Sequence, residues 1–257
     1  MLVQYVTGLS DADLITSNDI PLTNDQQLKL DNAIAQRLKG RPVSKIIGEK
    51  GFYGRSFITS DDVLDPRPDS ETLIEAVLKN IGNKAKPYRI LELGVGSGCL
   101  VLTLLAELPN ATALATDISQ KALAVARRNA EKLDIADRID FIESNWFNCV
   151  NGTFDIIVSN PPYIESRDIE NLAVNVREYD PLLALDGGED GLDPYKVILP
   201  QIRDYLNEGG IVALEHGAGQ SERISAIARD CGIVDGQTCH DYAGHDRVFL
   251  FLQMTTI

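Results

Sequence analysis

Four consecutive residues, Asn160-Pro161-Pro162-Tyr163, place an amide, two prolines and an aromatic ring directly after an apolar run. That run, 154–159, is typical of a buried strand. Because proline cannot continue a strand or donate to its ladder, the chain must turn out of the sheet here. Ligands of open α/β sheets bind at the carboxyl ends of the strands. The stretch therefore predicts either a plain strand-ending turn or a turn that presents Asn160, held extended by the following proline, to a ligand.

A second candidate for a ligand-binding stretch is the glycine-rich turn 94–98, which lies between an apolar strand pattern and a helical pattern. Its glycines let the backbone approach a ligand, and the helix start offers free N–H groups. The spacing is G-x-G-x-G, which favours a nucleoside carrying an amino acid over a dinucleotide pyrophosphate. Asp117, at the end of the next strand, is placed to accept hydrogen bonds from both ribose hydroxyls. The predicted cofactor-binding residues here are Gly94, Val95, Gly96, Ser97, Gly98 and Asp117.

Strands and helices alternate from Tyr88 to the end of the chain. We predict strands at 90–93, 111–116, 139–143, 154–159, 210–215, 233–238 and 247–252. Helices are predicted at 99–108, 119–133, 195–206 and 221–230. This alternation predicts an α/β fold with a doubly wound, mostly parallel, seven-stranded sheet. The last two strands follow each other closely, so we expect an antiparallel hairpin at one edge.

The first part of the chain has a different character. Residues 1–40 predict a small helical domain, whose last helix follows Asn24 and ends at Gly40. Three short helices form only a small core, so we expect them to pack on the main domain or on a macromolecular partner. Residues 41–68 predict a β-hairpin linker. Residues 69–257 form the main domain, whose first helix we expect Asp69 or Ser70 to cap.

Composition limits the class of partner. The 257 residues carry a formal net charge of −14, from 38 acidic and 24 basic side chains. That balance argues against direct nucleic-acid binding, which needs clustered Lys and Arg. The cysteines form no C-x-x-C pair or metal-ligand spacing with histidine, so we expect reduced, buried thiols in a cytoplasmic protein without a metal site. No signal peptide or membrane-spanning run is visible.

The glycine turn, Asp117 and Asn160-Pro161-Pro162-Tyr163 together resemble the class I S-adenosylmethionine-dependent methyltransferases that act on a planar –NH2 group. The resemblance covers about residues 88–252. It implies a Rossmann-like fold, S-adenosyl-L-methionine as methyl donor and S-adenosyl-L-homocysteine as product. The N-P-P-Y stretch is shared by nucleic-acid amino-methyltransferases and protein glutamine methyltransferases, so other residues must decide the substrate.

Those other residues resemble the release-factor glutamine methyltransferase family (PrmC/HemK). The matching stretches are 40–43, 47–48, 52–54, 66–71, 159–164, 181–192, 214–217 and 244–248. The resemblance implies transfer of a methyl group to the side-chain amide nitrogen (N5) of the glutamine in the Gly-Gly-Gln motif of class 1 peptide chain release factors. It also implies that residues 1–40, a domain short for the family, dock the substrate protein. The chain departs from the family pattern at Ser70, Glu92 and Asn145, where Thr, Asp and an acidic residue are usual.

The resemblance implies that Trp146 stacks on the adenine. We expect the Asn160 side-chain oxygen and the Pro161 carbonyl to accept the two amide hydrogens of the substrate glutamine, with Tyr163 packed against the planar amide. The predicted catalytic residues are Asn160, Pro161 and Tyr163. The predicted substrate-binding residues also include Pro162, and Asn160 is predicted to reach the cofactor as well. For Glu215 and His216, at the end of the fifth strand, we favour structural support over the role of a base.

Four other functions are considered from the sequence, and two of them are disfavoured. A sister family modifies a glutamine of a ribosomal protein and shares the N-P-P-Y stretch. Nucleic-acid amino-methyltransferases share it too, but need a basic groove and a pocket for a flipped base. A nucleoside-binding scaffold without activity is disfavoured by the intact Asn160 and Asp117, and a dehydrogenase by the glycine spacing.

Overall fold

The computed structural model describes residues 1–16 and 20–253. The chain begins with helices α1 (Leu2–Thr7), α2 (Asp11–Thr16), α3 (Asn24–Leu38) and α4 (Val43–Ile47). A two-stranded antiparallel sheet follows, made of β1 (Glu49–Phe52) and β2 (Arg55–Ile58). Thr23 starts α3 through a reciprocal capping box with Gln26, which satisfies two backbone donors of the first turn. The predicted domain boundaries at 40 and 68 stay predictions, and residues 17–19 and 254–257 of those domains lie outside the described residues.

A seven-stranded sheet forms the centre of the described main domain. Its strands are β3 (Arg89–Leu93), β4 (Thr112–Asp117), β5 (Ile139–Glu143), β6 (Phe154–Ser159), β7 (Leu206–Glu215), β8 (Gln237–His240) and β9 (Asp246–Leu252). The order is β5-β4-β3-β6-β7-β9-β8. The first five strands in this order are parallel, and β9 is antiparallel to both of its neighbours. The predicted doubly wound, mostly parallel α/β fold and its antiparallel final hairpin are confirmed.

Helices cover both faces of this sheet. They are α5 (Glu71–Asn80), α6 (Cys99–Glu107), α7 (Gln120–Lys132), α9 (Asp193–Ile198) and α10 (Ser221–Asp230). The short helix α8 (Val174–Arg177) lies in the segment between β6 and α9. Alternate strand residues divide into two cores, since successive side chains point to opposite faces. Ile90 and Ile156 pack with α5, α6 and α7, whereas Leu91 and Ile157 pack with α9 and α10.

The strand order reverses between β3 and β6, and this reversal positions the site. These two strands pair in parallel with Leu93 opposite Ser159. The glycine turn and Asn160 therefore leave the sheet side by side at its carboxyl edge. Open α/β sheets bind ligands at such a topological switch point.

Three local predictions were wrong. The helix predicted at 195–206 ends at Ile198 and is followed by a 3-10 turn at Ile202–Tyr205. Leu206–Glu215 then forms one long strand, whose register against β6 shifts near its start. The strand predicted at 233–238 lies later, at Gln237–His240. Cys149, predicted to be buried, is exposed in the irregular segment between β5 and β6. The other three cysteines, Cys99, Cys231 and Cys239, are half-buried and free.

Two kinds of feature are absent from the described residues. None of the helices in 1–16 and 20–253 combines the length and apolar character needed to cross a bilayer. Over the same ranges, no three His, Cys, Asp or Glu side chains come together as metal ligands.

Candidate active site

A cavity of about 720 Å³ opens at the carboxyl ends of β3 and β6. Its volume lies in the range of small-molecule sites. The predicted site residues that line it are Gly94, Val95, Gly96, Ser97, Asp117, Trp146, Asn160, Pro161 and Pro162. Of the described residues predicted for the site, Gly98 and Tyr163 are outside the lining. The structure thus brings together the glycine turn, the acid, the tryptophan and the Asn-Pro-Pro turn.

The glycine turn has a backbone that few other residues adopt. Gly94, Gly96 and Gly98 have φ angles of 72°, 52° and 80°, in the left-handed region that favours glycine. Gly98 has a packing role rather than a lining role, because a Cβ there would lie 3.0 Å from Leu102 Cδ1. The spacing G-x-G-x-G is therefore explained by backbone conformation at all three positions.

Asp117 fixes this turn from the next strand. Its Oδ2 accepts a hydrogen bond from Gly96 N at 2.9 Å, and its Oδ1 accepts one from Ser119 N at 2.8 Å. Burial raises the pKa of Asp117, although these backbone donors oppose the shift. Each carboxylate oxygen keeps a second lone pair, so the group can still accept from hydroxyls of a ligand in the cavity.

Trp146 forms a flat wall beside the glycine turn. It is half-buried, has a φ of 50°, and lies so close to the turn that a Cβ on Gly94 would be 3.8 Å from its ring. The Ser144 hydroxyl donates to the Trp146 carbonyl at 2.9 Å and holds this unusual backbone. Asn145, the position that departs from the family pattern, also lines the cavity. The wall offers an apolar face and an amide to a planar base.

Asn160 is held by a residue that the sequence did not connect to it. Its Nδ2 donates to the Ser70 hydroxyl at 3.2 Å, which leaves Oδ1 as a free acceptor. Ser70 stands at the start of α5 and is buried, but its side chain makes no capping hydrogen bond. The predicted cap is thus replaced by a contact with the Asn-Pro-Pro turn.

The segment 181–192 braces that turn from outside. Ile164 N donates to Leu185 O at 3.0 Å, and Gly187 N donates to Ile164 O at 2.8 Å. A Cβ on Gly187 would lie only 2.8 Å from the Pro162 carbonyl oxygen. Glycine is required where two backbones approach so closely. This contact gives a physical reason for the glycines in a stretch that carries the family resemblance.

Tyr163 points away from the cavity. Its hydroxyl donates to Glu215 Oε1 at 3.4 Å, and a Cβ on Gly217 would lie 3.2 Å from its ring. Burial raises its pKa, so the phenol stays protonated. The predicted packing of this ring against the substrate amide has no support in this geometry.

Glu215 is a buried carboxyl behind the Asn-Pro-Pro turn. Burial raises its pKa to about 7, opposed by the Ser70 hydroxyl, the Arg247 guanidinium and Tyr163. Its neighbour His216 is fully buried, and burial lowers the pKa of that imidazole, which stays neutral. Neither residue lines the cavity, consistent with a supporting role.

A largely buried ion cluster supports the part of the cavity wall that Asp65, Arg67 and Pro181 form. Lys45 Nζ lies 3.1 Å from Asp180 Oδ1 and 3.6 Å from Asp65 Oδ1, and Arg67 reaches Asp180 Oδ2 at 2.6 Å. The cluster ties α4 and the linker to Pro181, which lines the cavity. Sequence reasoning assigned Ser70 to a helix cap and Glu215 to structural support, and it missed this cluster. The available signal was the position of its residues in or beside stretches that carry the family resemblance.

Two family models and several curated proteins match this chain. The family model described as Methyltransferase small domain matches residues 55–177, and the one described as PrmC N-terminal domain matches residues 1–48. The Release factor glutamine methyltransferase of Agrobacterium fabrum is 39% identical over 98% of this chain and 88% of its own. The protein of the same name from Rhodospirillum rubrum is 41% identical over 97% of this chain and 76% of its own.

A solved structure supports the fold. A methyltransferase from Pyrococcus furiosus superposes with a TM-score of 0.58 at 21% identity, covering 87% of this chain and 99% of that one. At this identity the likeness concerns the arrangement of strands and helices alone.

Proposed function

The chain belongs to the release factor glutamine methyltransferase family, and on that premise we propose the reaction it performs. It transfers a methyl group from S-adenosyl-L-methionine to N5 of the glutamine in the Gly-Gly-Gln motif of class 1 release factors. The observation that carries this proposal is the Asn160 amide, anchored through Nδ2 so that Oδ1 and the neighbouring Pro161 carbonyl are acceptors at the cavity. Two acceptors side by side match the two hydrogens of a primary amide.

The residues present fit the methyl donor. The left-handed turn 94–98 lets backbone and ligand approach closely, and Asp117 retains acceptor capacity for ribose hydroxyls. Trp146 and Asn145 offer a flat face and an amide to the adenine. When bound, S-adenosylmethionine supplies an electrophilic methyl group and leaves as S-adenosylhomocysteine.

The protein's part in the chemistry is placement. An amide nitrogen is a weak nucleophile because its lone pair is delocalised into the carbonyl. Acceptors on both N–H groups fix its direction and stabilise the positive charge that develops on nitrogen. Positioning of this kind supplies roughly 7–11 kcal/mol of barrier reduction. The proton released from nitrogen passes to water or to a backbone carbonyl, so the chain needs no side-chain base.

The N-terminal helices are the proposed docking surface for the release factor. They expose apolar side chains to solvent. Large exposed apolar patches mark interaction sites. These are Val3, Tyr5, Leu14, Ile15, Leu28, Ile34 and Leu38. The −14 net charge supports a protein substrate rather than a nucleic acid.

The experiment is a radiolabelled methyl-transfer assay that offers release factor, ribosomal protein, RNA and DNA as separate substrates. We expect label on the release factor alone. Asn160→Ala should abolish transfer while its affinity for S-adenosylhomocysteine, measured by calorimetry, stays close to that of the wild type. Asn110→Ala, which removes an amide at the opposite end of the strands, is the matched control. Near-native turnover of Asn160→Ala would overturn the amide clamp.

A further inference from the structure

We propose that the side chain of Gln220 holds the turn 160–163 in its reactive position from outside the cavity, and that Gln220 is therefore a positioning residue for methyl transfer. The inference rests on the proposed function, because the position of the turn matters only if Asn160 and Pro161 must meet a substrate amide. Gln220 does not line the cavity, and it lies outside the stretches that carry the family resemblance.

The turn cannot be fixed by its own centre. Its two prolines have no backbone N–H to donate, and the Pro161 carbonyl has to stay free for the substrate. Contacts at the two ends of the turn must therefore hold it. At the entrance, Asn160 Nδ2 donates to the Ser70 hydroxyl at 3.2 Å. At the exit, Gln220 Nε2 donates to the Tyr163 carbonyl at 2.9 Å.

The Gln220 amide joins three segments of the chain. Its Nε2 also donates to the Gly191 carbonyl at 3.3 Å, and its Oε1 accepts from Gly217 N at 2.9 Å. Gly191 belongs to the bracing segment 181–192, and Gly217 follows β7. These partners admit one orientation of the amide, because a backbone N–H only donates and the two carbonyls only accept. The end of the turn is thus tied both to its brace and to the end of the neighbouring strand.

The packing around this amide leaves little room for movement. Gln220 is 9% exposed. A Cβ on Gly191 would lie 2.5 Å from the Tyr163 carbonyl oxygen and 2.6 Å from Gln220 Nε2, and a Cβ on Gly217 would lie 3.1 Å from Gln220 Oε1. Although Gln220 stands directly before α10, its side chain makes no capping hydrogen bond to that helix. The amide therefore serves the turn, and its removal leaves the buried carbonyls without their donor.

The test compares Gln220→Met with the wild type in methyl transfer to release factor, at saturating concentrations of both substrates. Methionine is of similar length and fills the space, but it donates no hydrogen bond. We expect kcat to fall by about tenfold to 100-fold, because a displacement of about 1 Å can cost a factor of about 100. The affinity for S-adenosylhomocysteine in calorimetry should stay close to that of the wild type, since Gln220 is not part of the cavity lining.

Arg138→Met is the matched control for a general loss of stability. Arg138 Nη1 donates to the carbonyls of Leu105 and Leu108 at 2.9 and 3.1 Å, at the amino edge of the sheet and away from the cavity. Both variants should lower the midpoint of thermal unfolding. Assayed at a temperature where each variant is folded, Arg138→Met should keep the kcat of the wild type. A near-native kcat of Gln220→Met, an equal fall in both variants, or a parallel loss of affinity for S-adenosylhomocysteine overturns the proposal.

Hydrogen exchange provides a reading that does not depend on activity. In nitrogen–proton NMR of the full-length labelled protein, the side-chain amide signals of Gln220 are identified by their loss in Gln220→Met. They should exchange with solvent far more slowly than those of the exposed Gln36, and equally fast exchange overturns the proposal whatever the substrate. A wild type that methylates ribosomal protein or nucleic acid but not release factor refutes the proposed function, and the kcat comparison is then made on that substrate.

Discussion

Replacement of Glu215 by glutamine should make the protein more stable than the wild type at high pH. Glu215 lies at the end of β7 and is 1% exposed. Burial disfavours its charged form and raises its pKa from 4.5 to about 7. Glutamine has the shape of the protonated acid without its titration.

The sign and size of the stability effect follow from the difference between the pKa of Glu215 in the folded state and in the unfolded state. Between pH 4.5 and about 7 the folded state holds a proton that the unfolded state has lost. The stability that this proton contributes is fully present below 4.5 and is lost as the pH rises through about 7. A difference of this size corresponds to about 3 kcal/mol, at about 1.4 kcal/mol for each tenfold change in proton affinity.

Urea denaturation at a series of pH values from about 4 to about 8 measures the effect, since unfolding free energies are obtained by linear extrapolation. The free energy of Glu215→Gln minus that of the wild type should grow by about 3 kcal/mol across this range. All other titrating groups are shared and cancel in the difference.

A difference that stays constant with pH would refute the reasoning, because it would mean that Glu215 has an ordinary pKa in the folded state. The predicted result would instead identify a carboxyl kept at a cost in stability. Such a cost is characteristic of functional positions.

Three further changes test other parts of the site. Asp117→Ala should weaken binding of S-adenosylmethionine by about tenfold or more in calorimetry, because charge-assisted acceptors are lost. Unchanged affinity would refute the proposed hydrogen bonds from the ribose hydroxyls to Asp117. Gly187→Ala should lower stability by about 1–3 kcal/mol and reduce turnover, because the Cβ of the new alanine meets the Pro162 carbonyl. Gly82→Ala is the control, because a Cβ there would enter open space. Leu38→Asp should raise the KM for release factor but not for a Gly-Gly-Gln peptide, whereas Val234→Asp, also exposed, should change neither.

Much of the fold could be predicted because its signals are local. The strand predicted at 154–159 has the bounds of β6, because the two prolines that follow it cannot continue a strand. The glycine turn was placed correctly for a similar reason, because its backbone angles suit glycine. By contrast, the start of β7 at Leu206 was missed, since Gly209 and Gly210 interrupt the apolar pattern that marks a strand.

The supporting contacts of the site could not be predicted, because they join residues far apart in the chain. Ser70 and Asn160 are 90 positions apart, and Arg67 and Asp180 are 113 apart. A serine before a helix is normally read as a cap, and only the folded chain shows that its hydroxyl contacts an amide instead. The direction of Tyr163 was likewise undetermined, since it depends on the carboxyl of Glu215 and the space left by Gly217.

The most direct test of the proposed function is to incubate the protein with a purified class 1 release factor and S-adenosylmethionine, and to map the product by mass spectrometry. We predict a single added methyl group on the side-chain amide of the Gly-Gly-Gln glutamine, absent when Asn160→Ala replaces the wild type. A methyl group on another residue, or an unmodified release factor beside a methylated ribosomal protein or nucleic acid, would contradict it.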